Sequence, residues 1–184
     1  MKTYDLVGIG NAVVDVISHS DDAFLDNMGI EKGIMQLVPQ DRAEQLYAAM
    51  DDRVQTPGGA VANTVAGVGA LGLNTAFIGR VRDDGLGRFY AKAMTDNGID
   101  FVNVPVTDGD TPTSRSMIFV TPDGERSMNT YLGISTGLSS ADVPAPVAGN
   151  AKIMFLEGYL FDEDAGKTAF REAARAAKAG GGKA

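Results

Sequence analysis

The sequence has 184 residues, of which 44% are hydrophobic and 22% are charged, as is typical of a globular domain with a real core. Its 24 acidic residues outnumber its 16 basic ones, and the net charge of −8 argues against a nucleic-acid-binding surface and against docking on anionic membranes. The absence of cysteine excludes disulfides and thiol chemistry. We find no secretory signal and no run of about 18 apolar residues, and we expect a cytoplasmic protein without a transmembrane helix.

Short apolar runs and turn signals alternate in the first third of the chain. Residues 4–9 predict a strand that runs into a turn, and the β-branched run at 13–17 predicts a second strand. Residues 35–38 predict a third strand, after which Pro39 opens a helix whose apolar residues recur at helical spacing. The Thr-Pro-Gly-Gly composition of residues 56–59 predicts a loop.

The rest of the chain continues this alternation of strands and helices. The further predicted elements are a helix of small residues at 61–71 packed close to a sheet, a strand at 74–79, a helix at 85–97 closed by Gly98, a hairpin of 114–120 and 125–132, a buried strand at 152–156 and a helix at 163–179. The glycines at 180–182 have the composition of a loop that leads into a further strand. Together these elements predict an α/β sheet with a β appendage.

Two glycine motifs suggest nucleotide-binding loops, and both are rejected on spacing. The Gly-Ile-Gly at 8–10 follows a strand, but the dinucleotide fingerprint requires a third glycine where Val13 stands. The Gly-Lys-Thr at 166–168 lies inside a predicted helix, and Phe161 occupies the position of the first P-loop glycine. His19 is the only histidine, which excludes a histidine-based metal cluster, and its polar neighbours favour a solvated turn.

A few polar and glycine positions are candidates for a binding site. Asp15 lies in an apolar strand, where a carboxylate is costly to bury, so it either bonds backbone groups at a strand end or accepts hydrogen bonds from substrate hydroxyls. Gly58 and Gly59 allow a ligand to approach the backbone or a lid to hinge. Asn63 is either a ligand-binding amide or a helix cap. Arg126 is either a surface arginine or a clamp for phosphate oxygens.

Taken together, the motifs resemble the PfkB (ribokinase-like) family, and within it the adenosine kinases. The resemblance rests on the order and spacing of Gly10-Asn11-x-x-x-Asp15, Gly58-Gly59-x-x-x-Asn63-Thr64, Gly69-x-x-Gly72, Asp83 and Gly87, Asn97-Gly98-Ile99, Thr111-Pro112-Thr113 and Gly124-Glu125-Arg126-Ser127. It implies a Rossmann-type three-layer α/β core with a small β-sheet lid, whose strands come from about 13–38 and 113–132. It also implies that residues 1–184 are the N-terminal part of a kinase domain whose C-terminal half is absent.

The resemblance implies a role for each candidate residue. The family residues that match Asp15 and Asn63 hold sugar hydroxyls, and Asn11 supports the same pocket. Gly58 and Gly59 pack against the sugar and serve as the lid hinge. Arg126 reaches from the lid toward the transferred phosphate. The lid closes over the sugar and excludes water.

The substrate implied is a nucleoside or a sugar, with adenosine favoured. The positions matching regions around the base are apolar enough for a purine, although ordinary lid and core packing explains each of them as well: Gln36, Val38, Tyr131, Leu132 and Leu160. The segment 60–62 is less polar than in animal nucleoside kinases, which leaves ribose, fructose or another furanose open.

The cofactors implied are ATP and Mg²⁺. Most of the ATP pocket, the catalytic aspartate of a Gly-Ala-Gly-Asp segment and an Asn-x-x-Glu motif tied to magnesium belong to the family's second half, and this chain contains none of them. Phosphoryl transfer depends on positioning and charge neutralisation, so we expect this chain to be inactive by itself. Three interpretations stay open: the substrate-binding half of a kinase, a binding module without turnover, and a half-domain that needs a partner. The family includes monomers and homodimers formed through the lid.

Overall fold

The computed structural model describes residues 3–184, and the other two residues of the expected domain 1–184 lie outside it. The strands are β1 (Tyr4–Ile9), β2 (Val13–His19), β3 (Met35–Leu37), β4 (Val54–Gly58), β5 (Thr75–Ile78), β6 (Asp100–Phe101), β7 (Ser114–Val120), β8 (Arg126–Tyr131) and β9 (Ala151–Leu156). The helices are α1 (Asp22–Met28), α2 (Gln40–Ala48), α3 (Ala60–Ala70), α4 (Gly85–Asp96), α5 (Ala145–Gly149) and α6 (Asp164–Ala179). No helix in residues 3–184 is both long enough and apolar enough to cross a membrane.

The larger part of the molecule is a three-layer α/β core. Its parallel sheet has the strand order β6-β5-β1-β9, with α3 and α4 on one face and α5 and α6 on the other. Leu6 and Phe77 point toward α3 and α4, whereas Val7 and Ile78 point toward α5 and α6, as the two-residue period of a strand requires. The expected three-layer core is therefore confirmed.

The small-residue helix α3 packs as closely on the sheet as its composition predicts. A Cβ atom added to Gly8 of β1 would stand 2.5 Å from side-chain carbons of both Val61 and Val65. Real Cβ atoms essentially never approach other atoms so closely, so α3 can lie at this distance only because β1 carries glycine at this point.

The second part is a five-stranded mixed sheet, the lid, with the order β3-β8-β7-β2-β4. Its far face is covered by α1 and α2: Val14 and Val16 of β2 are fully buried there, and Phe24 of α1 packs on Phe119 of β7 with ring centroids 5.4 Å apart. The predicted hairpin of β7 and β8 is confirmed, and Gly124 in its turn has φ +86°. Four of the lid's strands lie within the ranges 13–38 and 113–132 expected for the lid, and β4 is a fifth strand outside those ranges.

The prediction of a loop at 56–59 was wrong for most of that segment. Residues 56–58 belong to β4, which pairs antiparallel with β2 and brings Pro57 opposite Val14. Proline and glycine weaken a central strand, but β4 is an edge strand of the lid, where proline is tolerated. β2 likewise runs to His19, so that this residue is an exposed strand end rather than part of a turn.

The strand predicted at 152–156 is confirmed as β9, but the expected burial was wrong. Ile153 is 49% exposed and Phe155 is 39% exposed. Both side chains point to the α3 side of the sheet, where α3 covers β1 and β5 but not the edge strand β9. Met154 points the other way, toward α6, and is buried. As the glycine loop suggests, Lys183 then forms a parallel bridge with Ile153, on the open side of β9.

Candidate functional site

The chain crosses between core and lid at points that lie side by side. Residues 10–12 connect β1 to β2, and Gly59 connects β4 to α3. Val13, the first residue of β2, pairs with Gly58, the last residue of β4, and with Ser114, the first residue of β7. The chain therefore enters or leaves three lid strands at the same edge of the lid. The carboxyl ends of β1 and β9 open at the same place, where ligands bind in parallel α/β sheets.

A cavity of about 430 Å³ lies at this junction, between the inner face of the lid and the carboxyl ends of the core strands. The residues that line it are Asn11, Val13, Asp15, Met35, Leu37, Gly59, Ala60, Ser116, Met128, Thr130, Leu132, Glu157, Tyr159 and Asp162. This size and mixture of apolar and polar side chains suit a small organic molecule.

Asp15 projects from β2 into this cavity. No described residue forms a hydrogen bond or ion pair with its carboxylate. Of the two alternatives for Asp15, the one in which it bonds backbone groups at a strand end therefore does not agree with the structure. Burial raises the pKa of Asp15 from its ordinary value of 3.8 to about 6, and the positive charge of Arg126 opposes this increase. A largely buried carboxylate without donors is suited to accept hydrogen bonds from a ligand.

Gly58 and Gly59 lie where the chain passes from β4 into α3, and both are in close contact with neighbouring groups. A Cβ atom on Gly58 would stand 2.4 Å from Oδ2 of Asp15, so the carboxylate rests directly on this glycine. Gly59 has φ +105°, and a Cβ atom there would stand 2.3 Å from the backbone oxygen of Asn11. Gly59 therefore requires glycine, because of its φ and of the neighbouring backbone, whereas a side chain at Gly58 would displace the carboxylate of Asp15.

Asn11 belongs to a buried polar network at the floor of the cavity. Its backbone N–H and its Nδ2 both donate to Oε1 of Glu157, at 2.6 and 2.9 Å. Its Oδ1 accepts a hydrogen bond of 2.7 Å from the hydroxyl of Ser135. Because every polar group of the Asn11 side chain has a partner, Asn11 is held in one orientation, which agrees with the supporting role expected for it.

Glu157 is the second carboxylate of the cavity, and it is only 9% exposed. Its Oε1 takes both bonds from Asn11, whereas its Oε2 is buried without a hydrogen-bond partner. Burial raises the pKa of Glu157, and the bonds from Asn11, followed by the nearby backbone amide of Val61, oppose the increase. A buried polar atom without a partner is costly, and a ligand donor in the cavity would remove that cost.

The inner face of the lid is apolar apart from one polar row. Met35 and Leu37 of β3 and Met128 of β8 supply the apolar surface. Ser116 pairs in register with Asp15 on one side and with Thr130 on the other. The hydroxyl oxygens of Ser116 and Thr130 lie 2.8 Å apart. The lid thus presents hydrogen-bonding groups next to Asp15 and apolar surface farther along β3 and β8.

Of the residues expected near a base, the structure brings Leu132 to the cavity and places four others elsewhere. Gln36 points to the opposite face of β3, where its Nε2 donates to Oδ1 of Asn129 at 2.7 Å. Val38 and Tyr131 pack against the hydrophobic cluster behind the lid. Leu160 is buried in the other core cluster, against α6. Its neighbour Tyr159 lines the cavity.

Asn63 and Arg126 lie outside the cavity lining. Asn63 is exposed, one turn into α3, and its backbone N–H bonds to the carbonyl of Gly59 at 2.9 Å. Gly59 occupies the N-cap position, so Asn63 is not the helix cap that was one alternative. Arg126 is exposed at the start of β8, on the same lid face as Met128 and Thr130, and is close enough to lower the pKa of Asp15.

Sequence reasoning missed Glu157, Met35 and Leu37. Glu157 directly follows the apolar strand β9, much as Asn11 follows β1. This position at the carboxyl end of a parallel strand was the signal that could have identified it. The two-residue period of β3 places Met35 and Leu37 on one face and Gln36 on the other, but the sequence does not say which face the core covers.

Two features bear on whether residues 3–184 could hold a metal ion or a phosphate. In residues 3–184, no group of three His, Cys, Asp or Glu side chains is placed to hold a metal ion. The Gly-Lys-Thr at 166–168 lies within α6, as expected, and Gly166 packs against the backbone of Leu160 instead of cradling a phosphate.

Comparison with known proteins identifies the family. The family model described as pfkB family carbohydrate kinase matches residues 30–182. Aminoimidazole riboside kinase of Salmonella typhimurium is 36% identical over 131 residues, which cover 70% of this chain and 40% of that protein. Fructokinase-1 of Oryza sativa is 40% identical over 78 residues, 42% of this chain and 24% of that protein.

Solved structures extend the similarity to almost the whole chain. Adenosine kinase from Sinorhizobium meliloti is 49% identical and superposes with a TM-score of 0.87 over 98% of this chain. A probable sugar kinase from Rhizobium etli is 43% identical, with a TM-score of 0.88 over 99% of this chain. In each case this chain spans 55% of the solved chain, or about half its length. The ribokinase-like fold expected from the motifs is confirmed, and the chain belongs to the pfkB family of carbohydrate kinases.

Proposed function

We propose that this chain supplies the substrate pocket and lid of a kinase that transfers phosphate from ATP to a primary hydroxyl of a nucleoside, adenosine being the favoured acceptor. The observation that carries the proposal is a pair of carboxylates, the half-buried Asp15 and the buried Glu157, that line one cavity beneath the lid. Hydroxyl groups are the donors that such acceptors require, and a purine ring suits the apolar surface of Met35, Leu37 and Met128.

In the proposed mechanism, the residues of this chain bind and orient the acceptor. Asp15 and Glu157 accept hydrogen bonds from the sugar hydroxyls, and Asn11 keeps Glu157 in place. Closure of the lid about Gly58 and Gly59 removes water that would compete for the phosphoryl group. Asn63 and Arg126 complete the site as the lid closes, Arg126 on the phosphate side. ATP with Mg²⁺, when bound, would supply the phosphoryl group and charge neutralisation, and we assign the base to the second half of the protein.

A furanose sugar is the second candidate acceptor. The 49% identity to the adenosine kinase from Sinorhizobium meliloti supports adenosine as the acceptor. The similarity to a fructokinase supports a sugar without a base. The apolar lid surface decides our preference, because a free sugar would leave Met35 and Leu37 exposed to water. A homodimer through the lid is part of the same proposal and would use an edge strand such as β4, on which Val54 is exposed.

The test is a kinase assay on a longer protein that continues this chain, with the 184-residue chain in parallel. ATP consumption would be measured with adenosine, aminoimidazole riboside, ribose and fructose. We expect turnover of adenosine by the longer protein and none by the 184-residue chain. If the longer protein turns over fructose alone, the acceptor is fructose and not adenosine. If the 184-residue chain turns over any acceptor, the assignment of the base to the second half is wrong.

Replacing Glu157 with glutamine tests its proposed contact with the substrate. The glutamine Oε1 can still accept both hydrogen bonds from Asn11. The Oε2 atom is replaced by an NH₂ group, which cannot accept a hydrogen bond from a hydroxyl. We expect adenosine affinity, measured by calorimetry, to fall about ten- to hundredfold, the usual effect of losing a hydrogen bond to a charged group. Asp26→Asn, an exposed carboxylate on α1, is the control. Equal affinities for Glu157→Gln and wild type would remove Glu157 from the site.

A further inference from the structure

Tyr90 connects the aromatic core of the molecule to the lid hinge. It lies on α4 and is fully buried. Its ring packs against Phe77 and Phe101, with centroid separations of 6.3 and 5.6 Å. Phe77 in turn is fully buried and belongs to β5, an inner strand of the parallel sheet, so the ring of Tyr90 is packed into the core.

The hydroxyl of Tyr90 leaves this aromatic cluster and donates to the backbone carbonyl of Gly58 at 3.1 Å. Gly58 is the last residue of β4, the lid strand that leads into the hinge. A side chain anchored in the core therefore bonds to the backbone of the lid at the residue where the two parts separate. The bond is buried, where a lost partner is costly.

Gly58 in turn supports Asp15. The carboxylate of Asp15 rests on the Cα of Gly58, so close that an added Cβ atom would stand 2.4 Å from Oδ2. Any movement of Gly58 must therefore change either the position of the carboxylate or the access of water to it. The line of contacts runs from the core aromatic cluster through the Tyr90 hydroxyl and Gly58 to Asp15.

We infer that Tyr90 is a positioning residue, which fixes Asp15 for hydroxyl recognition by holding the carbonyl of Gly58 with its phenol. The expected effect of Tyr90 on substrate affinity rests on the proposed function, whereas its expected effect on the Asp15 carboxylate does not. Burial, followed by the charges of Asp15 and Glu157, raises the pKa of Tyr90 well above 10. This shift favours the neutral phenol, the form that donates the bond to the carbonyl of Gly58.

The test uses Tyr90→Phe, which removes the hydroxyl and keeps the ring. The first readout is the pKa of the Asp15 carboxyl, measured by carbon-detected NMR titration of the 184-residue chain. We expect it to fall toward the ordinary aspartate value, because a released Gly58 admits water to the carboxylate. The second readout is the ratio of affinities for adenosine and 2′,3′-dideoxyadenosine, which we expect to fall about tenfold because the hydroxyl acceptor is no longer fixed.

Tyr4→Phe is the matched control, because it also removes one phenol, which donates to Asp100 and belongs to the first residue of β1, at the end of the strand away from the cavity. We expect it to leave both readouts unchanged. If Tyr90→Phe lowers the melting temperature but leaves the pKa of Asp15 at its wild-type value, Tyr90 is only structural and the inference is overturned. If the pKa of Asp15 moves but the wild-type chain binds no adenosine, the positioning role stands and the proposed substrate is wrong.

Discussion

Replacing Asp15 with asparagine should make the protein more stable at pH 7.5 while abolishing its binding of a hydroxyl-bearing substrate. The stability effect follows from the pKa of Asp15, which burial raises from 3.8 to about 6. Between these values the folded protein keeps a proton that the unfolded chain has released, so the free energy of unfolding falls as the pH rises through this window. Above it the cost of the ionised carboxylate is about 3 kcal/mol.

Asparagine removes this cost, since it carries no charge at any pH. Urea denaturation at pH 4 and pH 7.5 measures the effect: the difference between the variant and the wild type should be small at pH 4 and about 3 kcal/mol at pH 7.5. Asp26→Asn controls for loss of an exposed carboxylate and should behave as wild type. An Asp15→Asn protein less stable than wild type at pH 7.5 would mean that the carboxylate has a stabilising partner in the folded state.

The binding effect has the opposite sign, because asparagine presents only one acceptor oxygen and an NH₂ group that would face the hydroxyl donors. We expect adenosine affinity to fall at least about hundredfold, from the loss of hydrogen bonds to a charged acceptor. A gain in stability together with a loss of binding is typical of residues kept for function. Unchanged affinity would show that Asp15 does not touch the substrate.

Replacing Gly59 with alanine should destabilise the protein by about 3 kcal/mol or more. The φ of +105° is strained for any residue with a side chain, and the added Cβ would stand 2.3 Å from the backbone oxygen of Asn11. Backbone cannot swing aside as a flexible side chain can, so Asn11 would be displaced, and with it the bonds to Glu157. We therefore expect adenosine binding to be lost together with stability.

Gly67→Ala is the matched control for this change. Gly67 lies on the exposed side of α3, its added Cβ would meet no atom within 4 Å, and its φ is not positive. Alanine should stabilise a helix there by about 0.5–1 kcal/mol relative to glycine. The same substitution at two positions eight residues apart should thus change the free energy of unfolding in opposite directions. Equal urea midpoints for the two variants would contradict the strained geometry assigned to Gly59.

Local sequence patterns predicted most of the secondary structure, because those patterns act over a few residues. The apolar run of β1, the Pro-Asp-Gly turn between β7 and β8, and Gly98 after α4, which has φ +75°, each carry their own physical cause. The order and spacing of the motifs also indicated the family and its fold. Asp15 could be singled out because a carboxylate in an apolar strand needs an explanation.

The tertiary structure decided the features that depend on residues far apart in the chain. Glu157 meets Asn11 only because β9 lies parallel to β1, and nothing in the local sequence of either residue announces the pairing. Residues 56–58 form a strand because β2 offers them an edge, which composition alone could not indicate. Met35 and Leu37, rather than Gln36, face the cavity because α1 and α2 cover the other side of the lid. The sequence by itself therefore determined most of the elements, the family and one carboxylate, whereas the sheet order and the covering of its faces determined which side chains share the cavity.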